Sequence, residues 1–309
     1  LVGSEMCIRD SLTSTDILKI KNMHINGFKV ATVPILYYKN TSLKKAINRL
    51  FIETDKAFSE GANIIILSDR GVDENHLAIP SLLAVSAVHQ HLVVTKKRTS
   101  CAIILESGEP REVHHFATLL GYGASAINPY LAQETIHELI ADDLLDKDYY
   151  AAVNDYNDAI LHGIVKIASK MGISTIQSYH GSQIFEAIGI GKDVIDNYFT
   201  GTVSRIGGIT LKDIEKNVDR LHTSAFDPLG LNTNPELESR GSHKFRSGKE
   251  EHLYNPQTIY MLQQSTRTGD YELYKKYSHM ISEEMDPVNI RGPVSYTHLR
   301  AHETSLHLV

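Results

Sequence analysis

The sequence predicts an α/β protein, a largely parallel sheet with flanking helices. Two observations predict it. Between residues 28 and 145, four apolar, β-branched runs alternate with four stretches of helical periodicity. Further on, residues 169–190 (SKMGISTIQSYHGSQIFEAIGI) read as a helix end, a Met-Gly break, a strand, a Tyr-His-Gly turn and a second helix. Strand followed by helix is the unit of parallel sheets, joined by right-handed crossovers.

Taken in order, KVATVPILYY (29–38) reads as a strand. SLKKAINRLFIETDKAFSEGA (42–62) is an amphipathic helix closed by Gly61, and NIIILSD (63–69) a buried strand. A helix over 79–98, a strand over 99–107 and a helix over 111–124 follow, then a strand in SAINPYLA (125–132) and a helix over 135–145. The polar shift over 142–148 is the best domain boundary. Tyr149 opens a helix whose apolar face carries Ala152, Tyr156, Ile160 and Val165. Residues 172–178 are expected as a strand, and Ile184, Phe185 and Ile188 as one face of the helix after it. Short helices broken at Gly201 and Gly207-Gly208 come next. A Gly-, Ser- and Asn-rich loop or hairpin spans 232–256, and Asn255 and Pro256 cap and open a helix. A last helix runs over 271–278.

Composition narrows the function. At 309 residues there is room for one large or two ordinary domains. A net charge of -6 offers no basic footprint for nucleic acid, and no apolar run is long enough to span a bilayer, so a cytoplasmic setting is expected. Residues 1–11 and 294–309 resemble translated sequencing-adapter DNA and are set aside, with Cys7, His298, His302 and His307. The remaining cysteine, Cys101, sits in a strand-like apolar run and reads as a core residue; one thiol makes neither a disulfide nor an iron–sulfur cluster.

Strand C-terminal ends are where α/β folds place chemistry. After the strand ending at Leu67, SDRGVDENH crowds Asp69, Arg70, Asp73, Glu74 and His76 into one turn. The cluster suits a metal, as in a metal-dependent hydrolase using Asp69, Asp73 and His76, or a substrate carboxylate held by Arg70. The plainer reading has Asp69 and Asp73 satisfying backbone N–H groups while Arg70 pairs with them. RIGGI (205–209) offers N–H groups to a phosphate beside Arg205, or a sharp Gly-Gly turn with positive φ. Neither His89/His91 nor His114/His115 has the spacing that puts two imidazoles on one helix face.

Residues 169–190, with YFTGTVSRIGGI (198–209), EEHLYNPQTIYMLQQSTRTGDYELYKKYS (250–278) and SDRGVDENHLAIPSLLAVSAVHQHLV (68–93), closely resemble the large subunit of the glutamate synthase family. The resemblance runs from about residue 13 to about 292. It implies that residues 12–147 are part of a central domain that helps line an ammonia path. Residues 148–293 would be the incomplete start of a (β/α)8 FMN-binding synthase domain, with 172–178 as its first strand. It implies FMN and a 3Fe-4S cluster held by three cysteines in the intact enzyme. That enzyme forms glutamate by reducing 2-iminoglutarate, with electrons from an NAD(P)H-dependent small subunit or from ferredoxin. Gln177, Ser178, Tyr179 and His180, then Lys170 and Ser174, are the candidates for contact with flavin or substrate. The sequence lacks an N-terminal cysteine nucleophile and the three-cysteine motif, so the fragment alone is expected to be inactive. The alternative is a non-catalytic α/β scaffold between domains or subunits.

Overall fold

The computed structural model describes residues 11–226, 245, 252 and 254–282. Contacts divide the chain into two compact units, Leu1–Asn232 and Thr233–Val309. Of the expected artefact segments 1–11 and 294–309, all but Ser11 lie outside the described residues, as does most of the 232–256 loop; Ser11 forms a parallel bridge to Ile127.

The chain opens with helix α1 (Ser14–Lys21), capped by Thr13, whose side chain accepts from Asp16 N while Asp16 reaches back to the Thr13 backbone. The expected strand over 29–38 is two strands, β1 (Val30–Pro34) and β2 (Leu36–Tyr38). Pro34 has no N–H to continue the ladder, and the chain leaves the main sheet there. Helix α2 (Leu43–Ser59) buries Leu43, Ala46, Ile47, Leu50, Thr54 and Ala57 at helical spacing. Strand β3 (Ile64–Ser68) follows as expected. A short strand β4 (His76–Ala78), which sequence patterning missed, pairs antiparallel with β2. Three residues are too few to show a period.

Helix α3 (Ser81–Val94), β5 (Ala102–Glu106), α4 (Val113–Gly121), β6 (Ala126–Asn128) and α5 (Tyr130–Ala141) complete the first half. α5 starts earlier than the sequence suggested, directly after Pro129. The main sheet runs β1-β3-β5-β6, every pair parallel. Parallel strands need cover on both faces. On one face a large core gathers Ile65, Leu67, Ile103, Leu105 and Ile127 with buried residues of α2, α3 and α4. On the other, Ile66 and Ile104 pack under Ile17 of α1.

Helix α6 (Tyr149–Lys170) packs on α4 and α5 and sends Ile160, Ile164 and Ala168 into the large core. The expected start of a second domain at residue 148 therefore falls within the first compact unit.

Beyond α6 the structure reverses the expected order of elements. Residues 172–178 are not a strand: Gly172, at φ +73°, closes α6, and Ile176–Tyr179 form the short helix α7. Ile173, Ile176 and Tyr179 turn toward the core together, three residues apart, which is a helical spacing rather than the alternation of a strand. The expected helix around Ile184, Phe185 and Ile188 is instead strand β7 (Glu186–Ile190). Gly189 has a positive φ that a helix interior does not accept. Helix α8 (Lys192–Tyr198) crosses to strand β8 (Val203–Ile209), parallel to β7. Gly207-Gly208 is thus neither a turn nor a helix break. A Cβ on Gly208 would fall 2.3 Å from the Gly189 carbonyl oxygen, so this pair of strands depends on bare backbone. Helix α9 (Leu211–Phe226) ends the described part of the unit.

In the second unit, α10 (Pro256–Thr268) and α11 (Tyr271–Ser282) pack against each other. Asn255 accepts from Gln257 N and Thr258 N, Pro256 takes the first position, and Gly269 caps the end at φ +67°, as their residue types require.

Candidate functional site

The C-terminal edge of the main sheet gathers the densest buried charge among the described residues. β3 delivers Ser68, Asp69 and Arg70; β5 delivers Glu106 and Ser107; Tyr130 comes from the start of α5 and Lys21 from the end of α1. Glu106 is only 1% exposed, yet it is fully bonded. It accepts from Lys21 Nζ at 2.8 and 3.0 Å, from Ser68 Oγ at 2.6 Å and from Arg70 Nε at 3.0 Å. Burial pushes its carboxyl up; the Lys21 and Ser68 hydrogen bonds and the ammonium charge outweigh that and leave it below its ordinary range. Arg70 spans outward, its Nη1 3.3 Å from Glu134 Oε1 and its guanidinium 3.9 Å above the Tyr130 ring.

Asp69 is also buried. It accepts from Ser107 Oγ at 2.5 Å and Gly108 N at 3.0 Å, and Tyr130 bonds it as well. Burial dominates here and raises its pKa. The sequence-level reading of this loop was half right. Arg70 does meet a carboxylate, but those of Glu106 and Glu134 rather than of Asp69 or Asp73. Asp69 satisfies the neighbouring β5 loop rather than its own turn. Asp73 does serve its own turn, accepting from Asn75 N and His76 N at 2.8 Å. Asp69 is turned inward while His76 pairs with Asp73, so the metal-hydrolase reading has no converging ligand set. Among the described residues no three His, Cys, Asp or Glu side chains group to hold a metal.

The six candidates from 170–180 are not brought together into one cradle. Lys170, Ser174, Gln177 and Ser178 are exposed, Ser178 Oγ lying 2.9 Å from Thr175 Oγ1. Tyr179 is fully buried and its hydroxyl donates to Ala117 O at 3.0 Å. His180 is half-buried; burial first and the Arg98 charge second hold its imidazole below the usual range.

Arg98 is the hub of this second cluster. It donates to His89 Nδ1 at 2.9 Å, Cys101 O at 2.6 Å and Gly123 O at 2.9 Å, just before β5 and β6 begin. The cluster therefore sits at the N-terminal edge of the sheet, the end that serves stability in parallel α/β folds. Cys101 is buried, as its apolar run suggested, and burial raises its thiol.

His89 makes this edge acid-sensitive. Burial and Arg98 push it from 6.5 down to about 4. Unfolded, it takes a proton near 6.5; folded, it stays neutral, so its contribution is present above that pH and is lost as pH falls toward 4. The loss is at most about 3 kcal/mol. Urea unfolding at pH 7 and pH 4.5 checks it: H89Q, whose amide oxygen still accepts from Arg98 but does not titrate, is expected to lose less stability over that interval than the parent.

With the sheet and its two polar edges in place, known proteins locate the chain. The family model for the glutamate synthase central domain matches residues 8–191, which contain the whole main sheet. The chain belongs to the glutamate synthase central domain family. The relatives agree. The large chain of the NADPH glutamate synthase of Bacillus subtilis is 45% identical over 88% of this chain. The NADH glutamate synthase of Schizosaccharomyces pombe is 38% identical over 87%, and the ferredoxin-dependent glutamate synthase of Cyanidium caldarium is 36% identical over 92%. The chain spans only 18%, 13% and 19% of these three proteins. This central domain is therefore a portion of what its relatives carry.

Proposed function

We propose that this chain is an interior part of a glutamate synthase that works as scaffold rather than as catalyst. The observation that carries this reading is that the charged groups of its polar edges are bonded within the fold. Glu106, Asp69, Arg70 and Arg98 each bond within the fold, so at these edges, among the described residues, none of the four stands as a free acid or base toward a substrate. In this reading the central domain, matched over residues 8–191, helps line the path of ammonia. The chain beyond residue 191 leads into the FMN-binding (β/α)8 synthase domain of the cytoplasmic enzyme, which reduces 2-iminoglutarate to glutamate with electrons from an NAD(P)H-dependent subunit or ferredoxin. The parallel β7–β8 pair, with Ile188 70% and Ile206 59% exposed, is a sheet whose cover comes from elsewhere in the longer protein.

The cofactors of that reaction do not fit this portion alone. Two cysteines in the whole sequence cannot supply three thiolates to a 3Fe-4S cluster. Of the six flavin candidates, Tyr179 donates to Ala117 O, while Lys170, Ser174, Gln177 and Ser178 are exposed and His180 half-buried, open to contact with the rest of the longer protein.

The purified chain is accordingly expected to show no flavin absorbance near the visible band after incubation with FMN and desalting, and no glutamate from 2-oxoglutarate, ammonia and a reductant. Retained flavin at one equivalent, or turnover, would overturn the scaffold assignment.

A further inference from the structure

Residues of α2, α8 and α9 line a half-open cleft of about 780 Å³, within the range of small-molecule sites. Its apolar wall is Phe51, Tyr198 and Leu211; Lys44, Lys212 and Lys216 line its rim. Tyr198 is buried and fixed, because Ser86 Oγ donates to its carbonyl oxygen at 2.6 Å. Two carboxylates also border the space, Asp193 and Glu215. Glu215 is already engaged, accepting from Leu43 N at 2.7 Å where α2 begins. It takes the place an anion favours at a helix N-terminus.

The lysines are less committed. Lys216 is 3.9 Å from Asp213, a long contact on an exposed side chain. Lys44 and Lys212 have no carboxylate within ion-pair distance among the described residues. Three lysines thus line the same half-open cleft as Phe51, Tyr198 and Leu211.

We propose that this cleft binds a small organic anion, its apolar body against Phe51, Tyr198 and Leu211 and its phosphate or carboxylate among Lys44, Lys212 and Lys216. Both halves of the ligand contribute, so neither an inorganic anion nor a neutral aromatic substitutes for it. Glu215 and Asp193 border the cleft as like charges and oppose binding. The site is independent of the scaffold role, since it uses none of the residues at the sheet edges.

Titration calorimetry of the full chain tests this with four probes: phenyl phosphate, phenylacetate, inorganic phosphate and benzyl alcohol. Phenyl phosphate or phenylacetate is expected to bind saturably, and the tighter of the two identifies the acidic group. Inorganic phosphate and benzyl alcohol are expected at least tenfold weaker. K212A/K216A, two exposed changes expected to leave thermal unfolding in place, should weaken the better probe by about tenfold. E215Q should tighten it by about threefold. Absence of saturable binding by both organic anions, or equal binding to parent and K212A/K216A, overturns the proposal.

Discussion

Replacing Glu106 with alanine is expected to cost about 3 kcal/mol of stability, the largest loss of any single exchange at the C-terminal edge. Three donors share this one carboxylate: Lys21 from α1, Ser68 from β3 and Arg70 from the following loop. Removing it strands two cations and a buried hydroxyl at once. Lys21 and Arg70 keep 26% and 40% side-chain exposure, so they recover part of their hydration, and the cost lies at the low end of the range for a broken buried pair. For a unit of this size that lowers the thermal midpoint by roughly 6–12 °C. Lys21 is the last residue of α1, the helix that covers Ile66 and Ile104. Amide exchange in E106A should therefore rise first in α1, with α2 and α3 still protected. Uniform loss of protection, or a midpoint within 2 °C of the parent, would mean that the carboxylate is not the hub its contacts describe.

The second large effect is expected at Gly123, between α4 and β6. Its φ of +115° is a conformation L residues rarely adopt, and a Cβ there would lie 2.3 Å from His89 Nδ1. That nitrogen accepts from Arg98, which also donates to the Gly123 carbonyl. G123A must strain the backbone and displace the imidazole together, an expected cost of about 4 kcal/mol. The double variant H89A/G123A keeps the backbone strain but removes the clash. Its loss in urea unfolding should be less than the sum of the two single losses by about 1 kcal/mol or more. Simple additivity would show that the ring is not the obstacle.

Much of the first half was legible because each buried strand carried an unbroken apolar run and each helix its own period. Residues 64–68 and 102–106, with the 3.6-residue pattern of α2, needed only local information. The start of α10 was as plain, since Asn255 followed by Pro256 has few other uses in that order. The passage from 172 to 209 was misread for a physical reason. β-branched Ile173, Thr175 and Ile176 suggest a strand, but tertiary packing of Ile173, Ile176 and Tyr179 in one row overrode that preference. β7 and β8 carry glycines that patterning takes for breaks, and the approach of Gly208 to the Gly189 backbone shows only once the strands pair. At the site, Asp69 and Arg70 drew notice, but their partners lie 36 to 64 residues away in sequence and no spacing reveals them. One signal was available: a lone glutamate, Glu106, ends an apolar strand, and a charge in that place needs a partner.

The most direct test of the central claim, that this is an interior piece of a longer glutamate synthase, is to sequence the source DNA through both ends of the reading frame. The account predicts a frame that continues upstream into a cysteine-initiated glutaminase and downstream into a flavin barrel with three closely spaced cysteines. A frame that is encoded as written, bounded by its own start and stop at residues 1 and 309, would contradict it and make the chain a stand-alone α/β protein.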